Sequence, residues 1–128
     1  MKIKITSKIK EIGKTLDKYW GTKSNNKLPR KPKFKVVFIY CEEQGKIKGF
    51  LYAHDIDDGY FRDCIIDEMT VREKSDKKCI EWLLKKLIDY CKKEKISIIC
   101  NSMDKIEKGV FKKLGFIIEK ETEESAII

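Results

Sequence analysis

The chain has 128 residues, which fits a single domain, 1–128, around one core. Apolar residues make up 41%, enough for a packed interior, while charged residues make up 39% and leave a net charge of +8. No apolar run is long enough to span a bilayer, and the opening MKIKITSKIKEI lacks a signal-peptide core, so a cytoplasmic protein with no membrane partner is expected.

Segment 2–6, KIKIT, alternates with a period of two and reads as a short strand. Ser7 is placed to cap the helix that follows. Ile9, Ile12, Leu16, Tyr19 and Trp20 fall on one face of that helix, so Trp20 is expected in the core, and Gly21 stops the helix. Residues 22–33, TKSNNKLPRKPK, hold both prolines and five cations without an acid. They read as a solvated connector or as a basic surface, over 23–35, facing an acceptor or nucleic acid.

FKVVFIYC, 34–41, is nearly continuous in β-branched and aromatic residues, as a central strand should be. After a turn, IKGFLYAHDI, 47–56, is the next strand; DDG at 57–59 turns the chain again. YFRDCIIDEMTV, 60–71, completes a three-strand meander. Asp67 and Glu68 are neighbours on it, and strand alternation sends them to opposite faces, so only one reaches a given cleft.

A loop without glycine leads into a strong helix whose stripe is Ile80, Leu83, Leu84, Leu87, Ile88 and Cys91. Trp82 lies on the opposite side, an exposed aromatic or the mark of a dimer contact or stacking surface. ISIIC, 96–100, reads as a buried strand, 104–114 as a second amphipathic helix stopped by Gly115, FIIEKE as a last strand and SAII as the remnant of one more. The order strand, helix, three-strand meander, helix, strand, helix, strand makes an α/β layer with a mixed sheet.

The five cysteines form no C-x-x-C pair, and four sit in apolar runs or on the apolar helix stripe, where buried reduced thiols are expected. His54 is the one histidine, too few for a Cys/His zinc site. Around it HDIDDGYFRD, 54–63, brushes the calcium-loop pattern, yet Ile66 stands where the loop needs Glu, so it reads as a hairpin turn.

This order of elements, with its motifs, resembles the GNAT acetyltransferase superfamily. GKIKGFLYA, 45–53, is similar to the family's dGkivGfl hairpin, DEMTV to its fourth strand, and FKKLGF, 111–116, to its Y-e-k-L-G-F close. The resemblance covers nearly the whole chain. It implies transfer of an acyl group from acetyl-CoA, the cofactor, to a small-molecule or protein amine by a monomer or homodimer.

It also implies that the backbone of Met69, Thr70 and Val71 pairs with the cofactor's pantetheine. The start of the next helix, with Lys77, Lys78 and Cys79, would then meet the pyrophosphate. Glu68 lies where relatives often carry a strand acid and is the candidate base. Two further cofactor-side positions fall on Asp104, where the family has an asparagine, and on Phe111, where a tyrosine would protonate the departing thiolate. Phe111 has no proton to give.

The chain departs from the pattern in the cofactor loop. The family's Gln/Arg falls on Asp76, and its glycines fall on Lys77, Cys79 and Glu81. Left-handed backbone at those three would cost about 1–2 kcal/mol each. Two readings follow: a divergent acetyltransferase, or a catalytically inactive GNAT-fold module that binds nucleic acid or a protein partner. An enzyme requires a gap between the fourth and fifth strands that is open enough for pantetheine.

Overall fold

In the computed structural model, which describes residues 2–21, 35–57, 62–73, 76–96, 98–100, 109, 112–113, 117–118 and 125–127, the alternating KIKIT segment is an edge strand, β1 (Lys2–Thr6). Helix α1 (Ile9–Trp20) follows, and β2 (Lys35–Glu43), β3 (Lys46–Asp57) and β4 (Arg62–Val71) form the meander. Helix α2 (Lys77–Lys93) leads to β5 (Ile98–Cys100), and β6 (Ile117–Ile118) and β7 (Ser125–Ile127) complete a sheet of order β1-β2-β3-β4-β5-β7-β6. The pairing of β4 with β5 is parallel and every other pairing is antiparallel, which is the mixed sheet expected. The SAII remnant is thus a strand, inserted between β5 and β6.

The sheet is covered on both faces, which explains the unbroken apolar run of β2. On one face Val37, Ile39, Leu51 and Ala53 lie beneath Leu83, Leu84 and Leu87 of α2. On the other, Phe38, Tyr40 and Phe50 lie beneath Ile12 and Leu16 of α1. Alternate residues of β2 and β3 serve opposite cores, so a one-residue slip would exchange them.

Helix α1 is capped differently from the sequence expectation. Its N-cap is Lys8, which makes no side-chain cap bond, and Ser7 takes no part. Thr6 does the work instead: its Oγ1 accepts from the Lys8 N–H at 3.1 Å and donates to Glu11 Oε2 at 2.9 Å. Glu11 also accepts from the Tyr40 hydroxyl at 3.3 Å, tying the first turn to β2. Burial and the Glu11 carboxylate push the Tyr40 hydroxyl above its usual range. Gly21 ends the helix as expected, at φ +73° with its N–H on Asp17 O at 2.9 Å.

Trp20 is not a core residue: it is 51% exposed. Its angle on the helix is right, but it is the last helical residue, and Tyr19 fills the inner position. The indole lays an edge on Tyr19, ring centroids 4.8 Å apart, and reaches Phe50 only at 6.5 Å. Trp82 departs the other way. It is half-buried on the flank of α2, with Lys78 Nζ 5.7 Å from its ring centroid.

Cys41, Cys64, Cys79 and Cys91 are buried free thiols, as expected. Cys41 pairs with Cys79 under the start of α2, and Cys64 with Cys91 under its end. The hydrogen bond with Cys79 and burial push the Cys41 thiol up. The basic loop 22–33, the turn at 58–61, Asp104 and Phe111 lie outside the described residues. Gly109, Lys112 and Lys113 are helical, within the span expected for the last helix. Among the described residues no helix is long and apolar enough to cross a membrane, and no group of His, Cys, Asp and Glu side chains could hold a metal ion.

Candidate active site

Among the described residues, strand β4 has a partner along its whole length on one side only. Its ladder with β3 runs from Arg62 to Val71, whereas its ladder with β5 holds Asp63, Cys64 and Ile65 and goes no further among the described residues. From Ile66 onward β4 has no partner on its β5 side among the described residues. Arg72 N–H donates to Lys48 O at 2.9 Å. By the two-residue alternation of a strand, Met69 and Val71 therefore turn their N–H and C=O away from β3, into the opening. The sequence reading requires a gap on this side of β4. The edge it exposes is backbone, whose hydrogen bonding needs no particular side chain.

A bulge marks where the gap begins. Tyr52 pairs with Glu68 and Ala53 with Ile66, so Asp67 is an extra residue in β4. The alternation expected between Asp67 and Glu68 fails here. Glu68 lies on the α1 face, accepting from Thr70 Oγ1 at 3.1 Å, while Thr70 stands opposite Phe50 of the α1 core. Asp67 lies on the same face, its Oδ2 2.7 Å from Nδ1 of His54. Burial and the Asp67 carboxylate hold the Tyr52 hydroxyl, next along β3, above its usual range. Met69 and Val71 are half-buried on the other face, against the core under α2.

The end of the gap is the N-terminus of α2. Asp76 is its N-cap, and Asp76 Oδ1 accepts from Cys79 N–H at 3.0 Å. No residue of this helix has positive φ; Gln44 and Lys95 are the only non-glycine positions that do among those described. Lys77, Cys79 and Glu81 therefore carry none of the left-handed strain considered above. Lys77 and Lys78 are exposed in the first turn, whereas the Cys79 side chain is fully buried. Close packing brings this turn down on the sheet. A Cβ on Gly49 would lie 2.8 Å from Val71 Cγ1, 2.9 Å from Thr70 O and 3.1 Å from Cys79 Sγ.

Arg72 braces the corner from the α1 side. Its Nε donates to Ile47 O at 2.7 Å and its Nη2 to Tyr19 O at 2.8 Å, with the guanidinium 4.4 Å from the Tyr19 ring centroid. Burial raises the Tyr19 hydroxyl, and the Arg72 charge opposes that shift.

The family model for an acetyltransferase (GNAT) domain matches residues 4–126. This chain is a GNAT family member. Solved structures share the fold at low identity. A predicted acetyltransferase with acetyl-CoA from Clostridium acetobutylicum aligns at a TM-score of 0.63 and 17% identity, covering 94% of this chain and 93% of that one. An aminoglycoside acetyltransferase from an uncultured soil metagenomic sample aligns at 0.66 and 14%, covering 95% of each chain. An N-acetyltransferase from Staphylococcus aureus Mu50 aligns at 0.61 and 14%, covering 99% and 95%. No curated protein matches.

The GNAT fold thus gathers Glu68, Met69, Thr70, Val71, Lys77 and Lys78 along one edge, from the bulge to the helix. Sequence reasoning missed the His54–Asp67 pair and Arg72. An imidazole and a carboxylate thirteen residues apart leave no local pattern; only the two-to-one count of the bulge brings them together.

Proposed function

We propose that this GNAT protein binds acyl-CoA along the open edge of β4 and transfers the acyl group to an amine. The observation that carries this reading is the backbone of Met69 and Val71, turned away from β3 and without a strand partner among the described residues, running from the bulge to the start of α2. The residues present fit the group. The Met69 and Val71 N–H and C=O can pair with the amides of a pantetheine arm, and Lys77 and Lys78 can meet the phosphates through side chains and N–H groups. Asp76 opposes them, because its carboxylate occupies the helix start. Bound acyl-CoA supplies an activated thioester carbonyl, with the CoA thiol as leaving group.

Glu68 stands at the mouth of the gap on the α1 face. With Asp67 it makes the described mouth acidic, although the whole chain is basic, and this suits an amine that arrives as an ammonium ion. One structural relative is an aminoglycoside acetyltransferase, so polycationic amines are the first acceptors to try here.

Calorimetric titration of acetyl-CoA and CoA, at low and moderate salt, tests the reading. Micromolar binding that survives moderate salt is expected, followed by transfer to an amine panel of aminoglycosides, polyamines and lysine peptides. Absence of binding at millimolar acetyl-CoA would overturn it and leave a GNAT-fold binding module, the reading that the Asp76 cap favours.

A further inference from the structure

A groove on the β1 flank of α2 has no role in the reading above. Ile3, Trp82, Lys85, Lys86 and Asp89 line it, and its volume is about 360 Å³. Ile3 belongs to the edge strand β1 and packs against the core beneath α2, so the groove lies on the α2 face of the sheet. In the strand order β1 stands three strands from β4, roughly 14 Å across the sheet. The groove is therefore separate from the β4 edge.

Its chemistry has two parts. Ile3 and the half-buried Trp82 indole supply apolar surface. Cations stand on either side of the ring along the helix, Lys78 one turn before it and Lys85 and Lys86 one turn after. The rise from Lys78 to Lys86 is about 12 Å. Lys78 Nζ lies 5.7 Å from the indole centroid, near the outer limit of a cation–π contact. Among the described residues no ion pair engages Lys78, Lys85, Lys86 or Asp89. Glu81, next to Trp82 in the chain, is instead held by Lys113 at 3.1 Å. The flank thus sets three cations against the one carboxylate of Asp89.

We propose that this groove binds single-stranded nucleic acid, one base stacking on Trp82 beside Ile3 and the phosphates on either side of it meeting Lys78 at one end and Lys85 and Lys86 at the other. An aromatic plate between cations is what a stacked base with its flanking phosphates requires. Asp89, at the end of the stripe, can accept from an amino group of the base. An acidic peptide would employ the lysines and have no need of the flat indole. A second copy related by a two-fold axis would bring like cations together. A free nucleotide carries phosphate on one side of its base only, which leaves the cations of one turn unused. A duplex keeps its bases stacked on one another and offers none to the ring. The proposal does not depend on the acyl-CoA reading. Lys78 stands between the two sites and is left in place in the test.

The chain has two tryptophans, so Trp20→Phe leaves Trp82 as the only indole emitter. Titrating that variant at low salt with a single-stranded oligonucleotide of mixed sequence, about 12 nucleotides long, should quench Trp82 fluorescence to a plateau. Binding followed by the anisotropy of a labelled oligonucleotide should weaken about 5- to 150-fold in Trp82→Ala. It should be largely kept in Trp82→Phe, which retains a ring to stack on. Replacing Lys85 and Lys86 together by alanine should lower the slope of log affinity against log salt by about 1.4. Circular dichroism shows whether each variant folds; if Trp82→Ala does not, the quenching and the lysine variant still decide. Binding that neither quenches Trp82 nor responds to the lysine variant puts the nucleic acid elsewhere on the chain and overturns the assignment. A duplex bound as tightly as the single strand, or adenosine monophosphate bound as tightly as the oligonucleotide, also overturns it. So does a dimer seen by sedimentation and broken by Trp82→Ala, or the absence of any binding at low salt.

Discussion

Asp76 is the sharpest test of the proposed acyl-CoA site. Its carboxylate caps α2 by accepting from Cys79 N–H at 3.0 Å, so a negative charge sits inside the turn where a pyrophosphate would dock. At roughly 6 Å in the dielectric of water, each pair of like charges costs about 0.7 kcal/mol. A pyrophosphate with two charges brings about 1.4 kcal/mol, a factor of about ten in affinity before screening. Asp76→Ser separates the two roles of the residue. Serine caps about as well as aspartate, so stability should change by less than about 0.5 kcal/mol. The charge is gone, so acetyl-CoA should bind about three- to tenfold tighter at low salt, with the gain shrinking as salt rises. Asp76→Ala should also lose the cap, about 1 kcal/mol of stability. The assays are calorimetry with acetyl-CoA and thermal unfolding monitored by circular dichroism. If Asp76→Ser folds like the parent and binds acetyl-CoA no tighter, the carboxylate is not in competition with the phosphates, and the electrostatic argument is wrong.

Three further outcomes are expected. Gly49→Ala puts a Cβ 2.9 Å from the Thr70 carbonyl oxygen and 2.8 Å from Val71 Cγ1, so overpacking should cost about 1–3 kcal/mol; an unchanged melting temperature would show that this corner yields freely. Cys41, Cys64, Cys79 and Cys91 are buried and should react with a thiol reagent only as fast as the protein opens, with full reaction in denaturant; rapid labelling in the native state at any of the four would contradict the packing of α2. Tyr40 and Tyr52 have raised values in the fold against a reference of 10.0. The folded state holds those protons more tightly than the unfolded chain, so their contribution to stability is complete below pH 10 and is lost as pH climbs through the raised values. Tyrosinate absorbance in the native protein should rise later than in denaturant, and coincident curves would refute the assignment.

The sequence made the scaffold legible because its signals are periodic. Alternation in 2–6, the continuous run at 36–40 and the i, i+3, i+4 stripe of α2 each follow from burial on one or two faces. The mixed character of the sheet then follows from the helix that connects β4 to β5, whereas the insertion of β7 between β5 and β6 leaves no such pattern. What stayed hidden depends on single residues at ends and irregularities. Trp20 has the right helical angle and the wrong axial position. Thr6 caps α1 from two residues upstream because its hydroxyl can reach both the Lys8 N–H and Glu11. The β4 bulge hid most, since a period-two reading of Asp67 and Glu68 assumes an unbroken ladder. One extra residue reversed the face of Asp67 and brought it to His54.

The glycine-free loop now has a physical account. Glycines in the family pattern permit left-handed turns that aim N–H groups at a pyrophosphate. Here the corresponding residues have become ordinary helix: α2 begins at Lys77, and Asp76 satisfies the Cys79 donor that a phosphate would otherwise take. The strain penalty feared from the sequence vanishes, and a charge penalty replaces it. The other half of the site is indifferent to that exchange. Met69 and Val71 turn their backbone groups away from β3 whatever the loop does, and among the described residues the ladder of β4 with β5 ends at Ile65. On the proposed reading, an acyl-CoA would therefore be held less by its phosphates than by its pantetheine arm along Met69 and Val71. A module that had merely kept the scaffold would be under no constraint to leave β4 without a strand partner beyond Ile65, and among the described residues it has none there, which is why that edge, more than the altered loop, supports the proposal of a ligand.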